Sequence, residues 1–390
     1  MKTSISSSSR RKDMFKIAVV VGTRPEAIKM APVAMAVREN PAMRLVLILT
    51  AQHREMSDDV MDVFSLQPDY DLDIMKPNQS LFQVTAHLVR KLELVLSQEK
   101  PDMVLVQGDT TSTFVGSLCS YYLRIPVGHV EAGLRTYRKY SPFPEEINRK
   151  LTTVLSDLHF APTSVARQAL LDEGIPARSI HVVGNPVIDA LLHVAAQDYP
   201  FETGALRAID FEASRVIAVT AHRRESWGKP FENMLRALRH IARKHPDVLV
   251  VFPVHPNPNV REPVGRILAN EKRVVLVDPL DYREFVKLLK SCYFIITDSG
   301  GIQEEAPSLG KPVLLMREVT ERPEAVKVGA VKVVGTDTRR IVDEAARLLD
   351  SPAVYRRMVV DKNPYGDGKA SLRIVKAVGR YLAAREGKGA

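Results

Sequence analysis

Short, uninterrupted apolar runs rich in β-branched residues recur along this chain, each followed by a helix-length segment, and few folds accommodate that alternation. Phe15 to Gly22 (FKIAVVVG) is the first run, and the helical pattern Glu26 to Arg38 follows it. A strand that is apolar at every position is covered on both faces, which crossover helices between parallel strands provide. Further strands are expected at Leu45 to Thr50, Met103 to Gln107, Val127 to Glu131, His159 to Ala161 and His181 to Val183. These predict a doubly wound α/β domain.

The rhythm breaks around Asn185-Pro186 and across the Ala-, Pro-, Gly- and Asp-bearing stretch Ala195 to Glu212, then restarts at Val216 to Thr220. A second series follows at Val248 to Pro253, Val274 to Val277, Phe294 to Thr297, Val313 to Leu315 and Val331 to Val334. With 390 residues, the chain exceeds the usual size of one core, in keeping with two domains. The spans expected are 15–184 for the first and 185–366 for the second, with a C-terminal helix over 367–390 returning to the first. Ligands then belong at the carboxyl ends of the strands, in the cleft between two such domains.

Residues 1–14 carry a serine run and the basic triplet Arg10-Arg11-Lys12, without the apolar stretch of a secretory signal, and read as a disordered tail or an over-long start. Every other apolar run is interrupted well short of the roughly 18 to 20 residues that span a bilayer, so no membrane partner is expected. Two distant cysteines, Cys119 and Cys292, make neither a disulfide framework nor a metal site. Four positive charges sit in the tail, and the rest of the net +9 is scattered among acids, which points away from nucleic acid and towards an anionic small ligand. No Gly-rich dinucleotide fingerprint, Walker lysine motif or His-Glu-x-x-His is present, so no cofactor and no metal are expected.

Polar motifs sit just after the strands. Gly22-Thr23-Arg24-Pro25-Glu26 is a strand-to-helix turn able to receive phosphate, with Lys29 close behind. Asp109 in Gln107-Gly108-Asp109-Thr110-Thr111 is either the cap of the helix starting near Thr111 or a proton carrier. Glu131 in His129-Val130-Glu131-Ala132-Gly133 stands at the end of a buried strand, where an uncompensated charge is costly. Glu145, in Pro144-Glu145-Glu146-Ile147-Asn148-Arg149, opens a helix at its favourable end for an acid. Three carboxylates on one sheet edge suggest proton transfer. In the second series, His222-Arg223-Arg224 follows a strand with a His and two cations, and His255 stands in a His-Pro-Asn turn. Thr297-Asp298-Ser299-Gly300-Gly301 opens a helix with exposed N–H donors and looks like a pyrophosphate cradle, with Glu305 one turn on and Arg322 before another helix.

Taken in order, GTRPE, QGDTT, HVEAGLRT, FPEEINR, THRRE and DSGGIQEEA resemble the non-hydrolysing UDP-N-acetylglucosamine 2-epimerases, from about Lys16 to Leu382. The resemblance implies the GT-B arrangement, two Rossmann-like domains facing across a cleft, and a cytoplasmic homodimeric isomerase serving cell-surface polysaccharide synthesis. It implies exchange of UDP-GlcNAc with UDP-ManNAc through loss of UDP, a 2-acetamidoglucal intermediate and re-addition. It makes Asp109, Glu131 and Glu145 the acid/base group and has His222 steady the leaving pyrophosphate. Arg24, Lys29, Ser299, Gly300, Gly301 and Arg322 would then contact phosphates or sugar, Glu305 the ribose and Phe285 the uracil. Gln52, Arg223 and His255 match a neighbouring regulatory site of bacterial members, whereas Glu55 and Asn78 depart from it, which weighs against substrate activation. Another UDP-acetamido sugar, a hydrolysing 2-epimerase and a glycosyltransferase of the same fold stand as alternatives.

Overall fold

The computed structural model describes residues 14–50, 60–75 and 78–387. The tail expected over 1–14 lies outside them except for Met14, as do Gln52 and Glu55. The chain divides into two compact units, Met1–Asp189 with Gly368–Ala390, and Ala190–Asp367.

In the first unit, strands β1 (Phe15–Val21), β2 (Met43–Leu49), β3 (Tyr70–Asp71), β4 (Met103–Gln107), β5 (Val127–Val130), β6 (Leu158–Ala161) and β7 (Ile180–Val182) form one parallel sheet. Their order is β3-β2-β1-β4-β5-β6-β7. The order reverses beside β1, so a crevice opens between the carboxyl ends of β1 and β4. Val20, Ile48, Val104 and Val106 pack with Leu88, Leu92 and Leu96 of the helix Leu81–Glu99, which is why these strands are apolar throughout. The helix Ala370–Glu386 is tied in by Asp189, whose two carboxylate oxygens accept from Ser371 N at 2.8 Å and Ala370 N at 3.2 Å. Here a remote aspartate supplies the cap that Lys369 cannot.

In the second unit, β8 (Arg215–Thr220), β9 (Val248–Pro253), β10 (Val274–Val277), β11 (Phe294–Thr297), β12 (Val313–Leu315) and β13 (Val331–Val333) are parallel in the order β10-β9-β8-β11-β12-β13. The reversal again falls beside the first strand, between β8 and β11. Phe231, Leu235 and Leu238 of the helix Lys229–Lys244 close one face of the sheet over Val250, Phe252 and Ile296. Both units are therefore doubly wound and Rossmann-like.

The differences from the expected strands are local. Tyr70–Asp71 is a two-residue edge strand too short to show a pattern. Glu131, expected as the last residue of β5, lies just past it with φ +63°, a left-handed conformation that few residues with a side chain adopt. Cys119 and Cys292 are both buried free thiols. No helix among the described residues is long and apolar enough to cross a membrane.

Candidate active site

Two clusters stand at the two strand-order reversals. In the first unit, Asp109, Glu131 and Glu145 come from three separate segments: the loop after β4, the residue after β5 and the start of the helix Glu145–Leu155. The charges of both glutamates act on Asp109. Burial pushes the Asp109 carboxyl above the usual aspartate range, Arg149 pulls it back, and Glu131 and then Glu145 push it up further. Burial here is by surrounding protein and not complete, since 29% of the Asp109 side chain meets solvent. Arg149 Nη2 stands 2.6 Å from Asp109 Oδ2, and Asn148 donates to the Asp109 carbonyl at 3.0 Å.

The capping reading of Asp109 does not hold. Thr110 is the N-cap of the helix Thr111–Tyr122, its hydroxyl accepting from Thr113 N at 3.3 Å. Asp109 is thereby released from any local backbone duty.

Glu131 is the most constrained of the three. Its side chain is 4% exposed, and Lys29 Nζ approaches its two oxygens at 2.8 and 2.6 Å. Asn185 Nδ2 donates at 3.1 Å and Gln107 Nε2 donates as well. A left-handed backbone, a lysine and two amides together fix where this carboxylate sits. Glu145 differs: half-buried at the first turn of its helix, its carboxylate makes no hydrogen bond or ion pair among the described residues. Its neighbour Glu146, fully buried, accepts from Thr136 N and Tyr137 N, both at 3.0 Å, and so ties the loop after Glu131 to the helix that carries Glu145.

The Gly22 turn, expected to receive phosphate, is already filled. Glu26, 3% exposed, accepts from Gly22 N at 2.6 Å, Thr23 N at 2.7 Å, Thr110 Oγ1 at 2.5 Å and Thr113 Oγ1 at 2.9 Å. The chain's own carboxylate uses the donors that an incoming anion would need. Lys29 is likewise held by Glu131, while Arg24, beside the turn, has a buried Nε without a hydrogen-bond partner.

In the second unit, Ser299 precedes the helix Gly300–Glu305 and makes no side-chain cap, so the first N–H groups of that helix are not used by it. Gly300 is where two guanidinium groups converge: a Cβ there would meet Arg322 Nη1 at 2.9 Å and Arg223 Nη2 at 3.4 Å. Arg322 is anchored from behind by Glu304. Asp298, completely buried, accepts from His222 N and Arg223 N, both at 2.8 Å, and so ties the loop after β8 to the end of β11. The His222 ring stacks on His255 with centroids 5.6 Å apart and planes 14° off parallel. Glu305 is buried, and Phe285 is half-buried in the helix Tyr282–Ser291. Glycine, backbone donors and two arginines make this edge an anion seat.

Glu26, Gln107, Arg149, Asn185 and Asp298 were not singled out from the sequence. Arg149 lay within the quoted FPEEINR segment and Asp298 within DSGG, but partners up to 87 residues apart, as for Glu26 and Thr113, leave no local pattern. No group of three or more His, Cys, Asp or Glu among the described residues is arranged to hold a metal ion.

The family model described as UDP-N-acetylglucosamine 2-epimerase matches residues 35–379. The chain is 54% identical over 371 residues to the UDP-N-acetylglucosamine 2-epimerase of Yersinia pestis, covering 93% of this chain and 98% of the relative. Against the Escherichia coli K12 enzyme of that name it is 52% identical over 376 residues, covering 93% and 98%. Among solved structures, UDP-GlcNAc 2-epimerase from Neisseria meningitidis bound to UDP-GlcNAc aligns with a TM-score of 0.86 at 47% identity, covering 94% of this chain and 100% of that one. The Methanocaldococcus jannaschii enzyme in complex with UDP-GlcNAc and UDP aligns at 0.76 and 34% identity, covering 94% and 100%. With a family model spanning most of its length and relatives this similar, the chain belongs to the UDP-N-acetylglucosamine 2-epimerase family.

Proposed function

We propose that the protein interconverts UDP-GlcNAc and UDP-ManNAc by eliminating and re-adding UDP. The C2 proton of the sugar is not adjacent to a carbonyl, so its removal alone would leave a poorly stabilised carbanion. Breaking the C1–O bond as that proton leaves avoids the carbanion and gives UDP and 2-acetamidoglucal. A proton delivered to C2 from the opposite face, with UDP oxygen returning to C1, completes the inversion. The chemistry asks for carboxylates that give and take protons and for cations at the departing diphosphate.

The observation that carries the reading is the cluster of Asp109, Glu131 and Glu145 at one sheet edge, from three segments and acting on one another electrostatically. Burial favours the protonated form of Asp109, which suits a group that must hold a proton for part of the cycle. Arg322, Arg223 and the Gly300 helix start supply the anion seat, and His222 stands next to it. That relatives have been captured with UDP-GlcNAc and with UDP supports a UDP-sugar as the substrate.

The test is incubation of the purified protein with UDP-GlcNAc alone in deuterated water, followed by NMR. Deuterium at C2 together with a new manno signal is expected. Free N-acetylmannosamine as the product would mark a hydrolysing enzyme, and an unchanged substrate would end the proposal.

A further inference from the structure

Asp298 has a second carboxylate oxygen that nothing in its surroundings satisfies. Its Oδ2 is used by the backbone N–H groups of His222 and Arg223, but Oδ1 is buried and has no hydrogen-bond partner among the described residues. An uncompensated buried carboxylate oxygen is costly, and native proteins keep few of them. A donor candidate is Nδ1 of His222, 3.6 Å away. That is beyond hydrogen-bond reach, yet a small rotation of the ring would close it. Hydrogen bonds of this kind are often long without substrate and tighten once it binds.

The other boundaries of the ring are already set. One face lies against the His255 ring, and the backbone on either side of His222 is pinned by the same aspartate. With His255 on the face and Asp298 at the Nδ1 edge, Nε2 is the nitrogen left for a ligand, on a side chain that is 43% exposed.

We propose that Asp298 is a positioning residue that keeps a proton of the His222 ring on Nδ1, so that Nε2 is the atom that gives a proton to the diphosphate oxygen as the C1–O bond breaks and takes it back as UDP returns. The buried oxygen accepts from Nδ1–H, and Nε2 draws from solvent the proton that it passes to the leaving oxygen. In Asp298→Asn the amide oxygen can keep the two backbone bonds, but the amide NH2 then faces Nδ1. The ring must present Nδ1 as an acceptor and carry its one proton on Nε2, which can still hydrogen-bond a phosphate oxygen, but without a second proton on Nδ1 it is too weak an acid to hand that proton over. The kinetic part rests on the epimerase reading; the tautomer does not.

The experiment has two arms. Long-range ¹H–¹⁵N correlation on protein labelled at histidine, under alkaline conditions and with the signal assigned by its loss in His222→Gln, reports the tautomer directly. The wild type should show the proton on Nδ1, and Asp298→Asn should show it on Nε2. In the second arm, Asp298→Asn should bind UDP within about 3-fold of wild type while kcat falls at least ~100-fold, the scale of a lost acid–base function. A wild-type ring protonated on Nε2 overturns the proposal, as does near-normal kcat in Asp298→Asn. Should that variant not fold, the wild-type spectrum decides. A wild type with the Nδ1 proton but no turnover of UDP-GlcNAc leaves this assignment standing and removes the epimerase reading instead.

Discussion

Lys29 Nζ sits 2.8 Å from one carboxylate oxygen of Glu131 and 2.6 Å from the other, joining residues 102 positions apart. The lysine is thus the counter-ion of a buried acid in its own unit. Lys29→Met leaves Glu131 with only neutral amides among its identified donors, and breaking a buried pair by removing one partner costs about 3 to 5 kcal/mol. Because 18% of the Lys29 side chain remains exposed, the lower end is expected, about 3 kcal/mol, read by urea unfolding. Lys29→Met/Glu131→Gln should recover most of that loss, since no unpaired charge stays behind.

Glu145 separates rate from stability. Its carboxylate has no partner to lose, so Glu145→Gln should leave unfolding free energy within about 0.5 kcal/mol of wild type. Turnover should nonetheless fall at least ~100-fold, as it should in Asp109→Asn and Glu131→Gln. Steady-state rates beside urea melts check this, and near-normal rates in all three variants would refute the acid/base assignment.

At the anion seat, Gly300→Ala places a methyl group 2.9 Å from Arg322 Nη1. The obstacle is the far end of a flexible side chain, so the fold should tolerate it by displacing the guanidinium. UDP affinity measured by titration calorimetry should drop ~10-fold or more, equivalent to about 1.4 kcal/mol, with little change in melting temperature.

His129 gives the unit an acid-sensitive point. Fully buried, with Nε2 2.8 Å from the Gly108 carbonyl and no partner at Nδ1, it is held neutral, its pKa pushed down by burial to about 3. A folded pKa below the unfolded one means the folded state binds fewer protons. The stability at stake is complete above the ordinary histidine value of 6.5 and is lost progressively as pH falls towards 3. Urea midpoints should decline through that window, and His129→Gln, whose amide nitrogen can take the place of Nε2 and keep the bond to Gly108, should flatten the decline.

Much of the fold was readable because buried parallel strands are apolar at every position. Met103–Gln107, Val248–Pro253, Val274–Val277, Phe294–Thr297 and Val313–Leu315 fall where their runs predict. Tyr70–Asp71 was not readable, because two residues form a strand here only through β2 beside them. At the first cluster, residue type and position, at a strand end for Asp109 and Glu131 and at a helix start for Glu145, pointed to these three residues. What the sequence concealed was how each is held. Arg149 on Asp109, Asn185 on Glu131 and Asp298 under His222 are contacts made by closure of the fold, over separations of 40, 54 and 76 residues. The phosphate reading of the Gly22 turn failed for a related reason. Its glycine and helix start were visible, but nothing local showed that Glu26 would fold back onto the donors.

That inward-turned glutamate has a consequence for what the first unit can accept. In sheets with this strand order, the opening turn is the customary berth for the diphosphate of a redox dinucleotide. Here the berth is taken from within, by a carboxyl group that already holds the backbone donors of Gly22 and Thr23. A turn that elsewhere receives nicotinamide or flavin carriers is thus closed to them, its donors already committed to the chain itself.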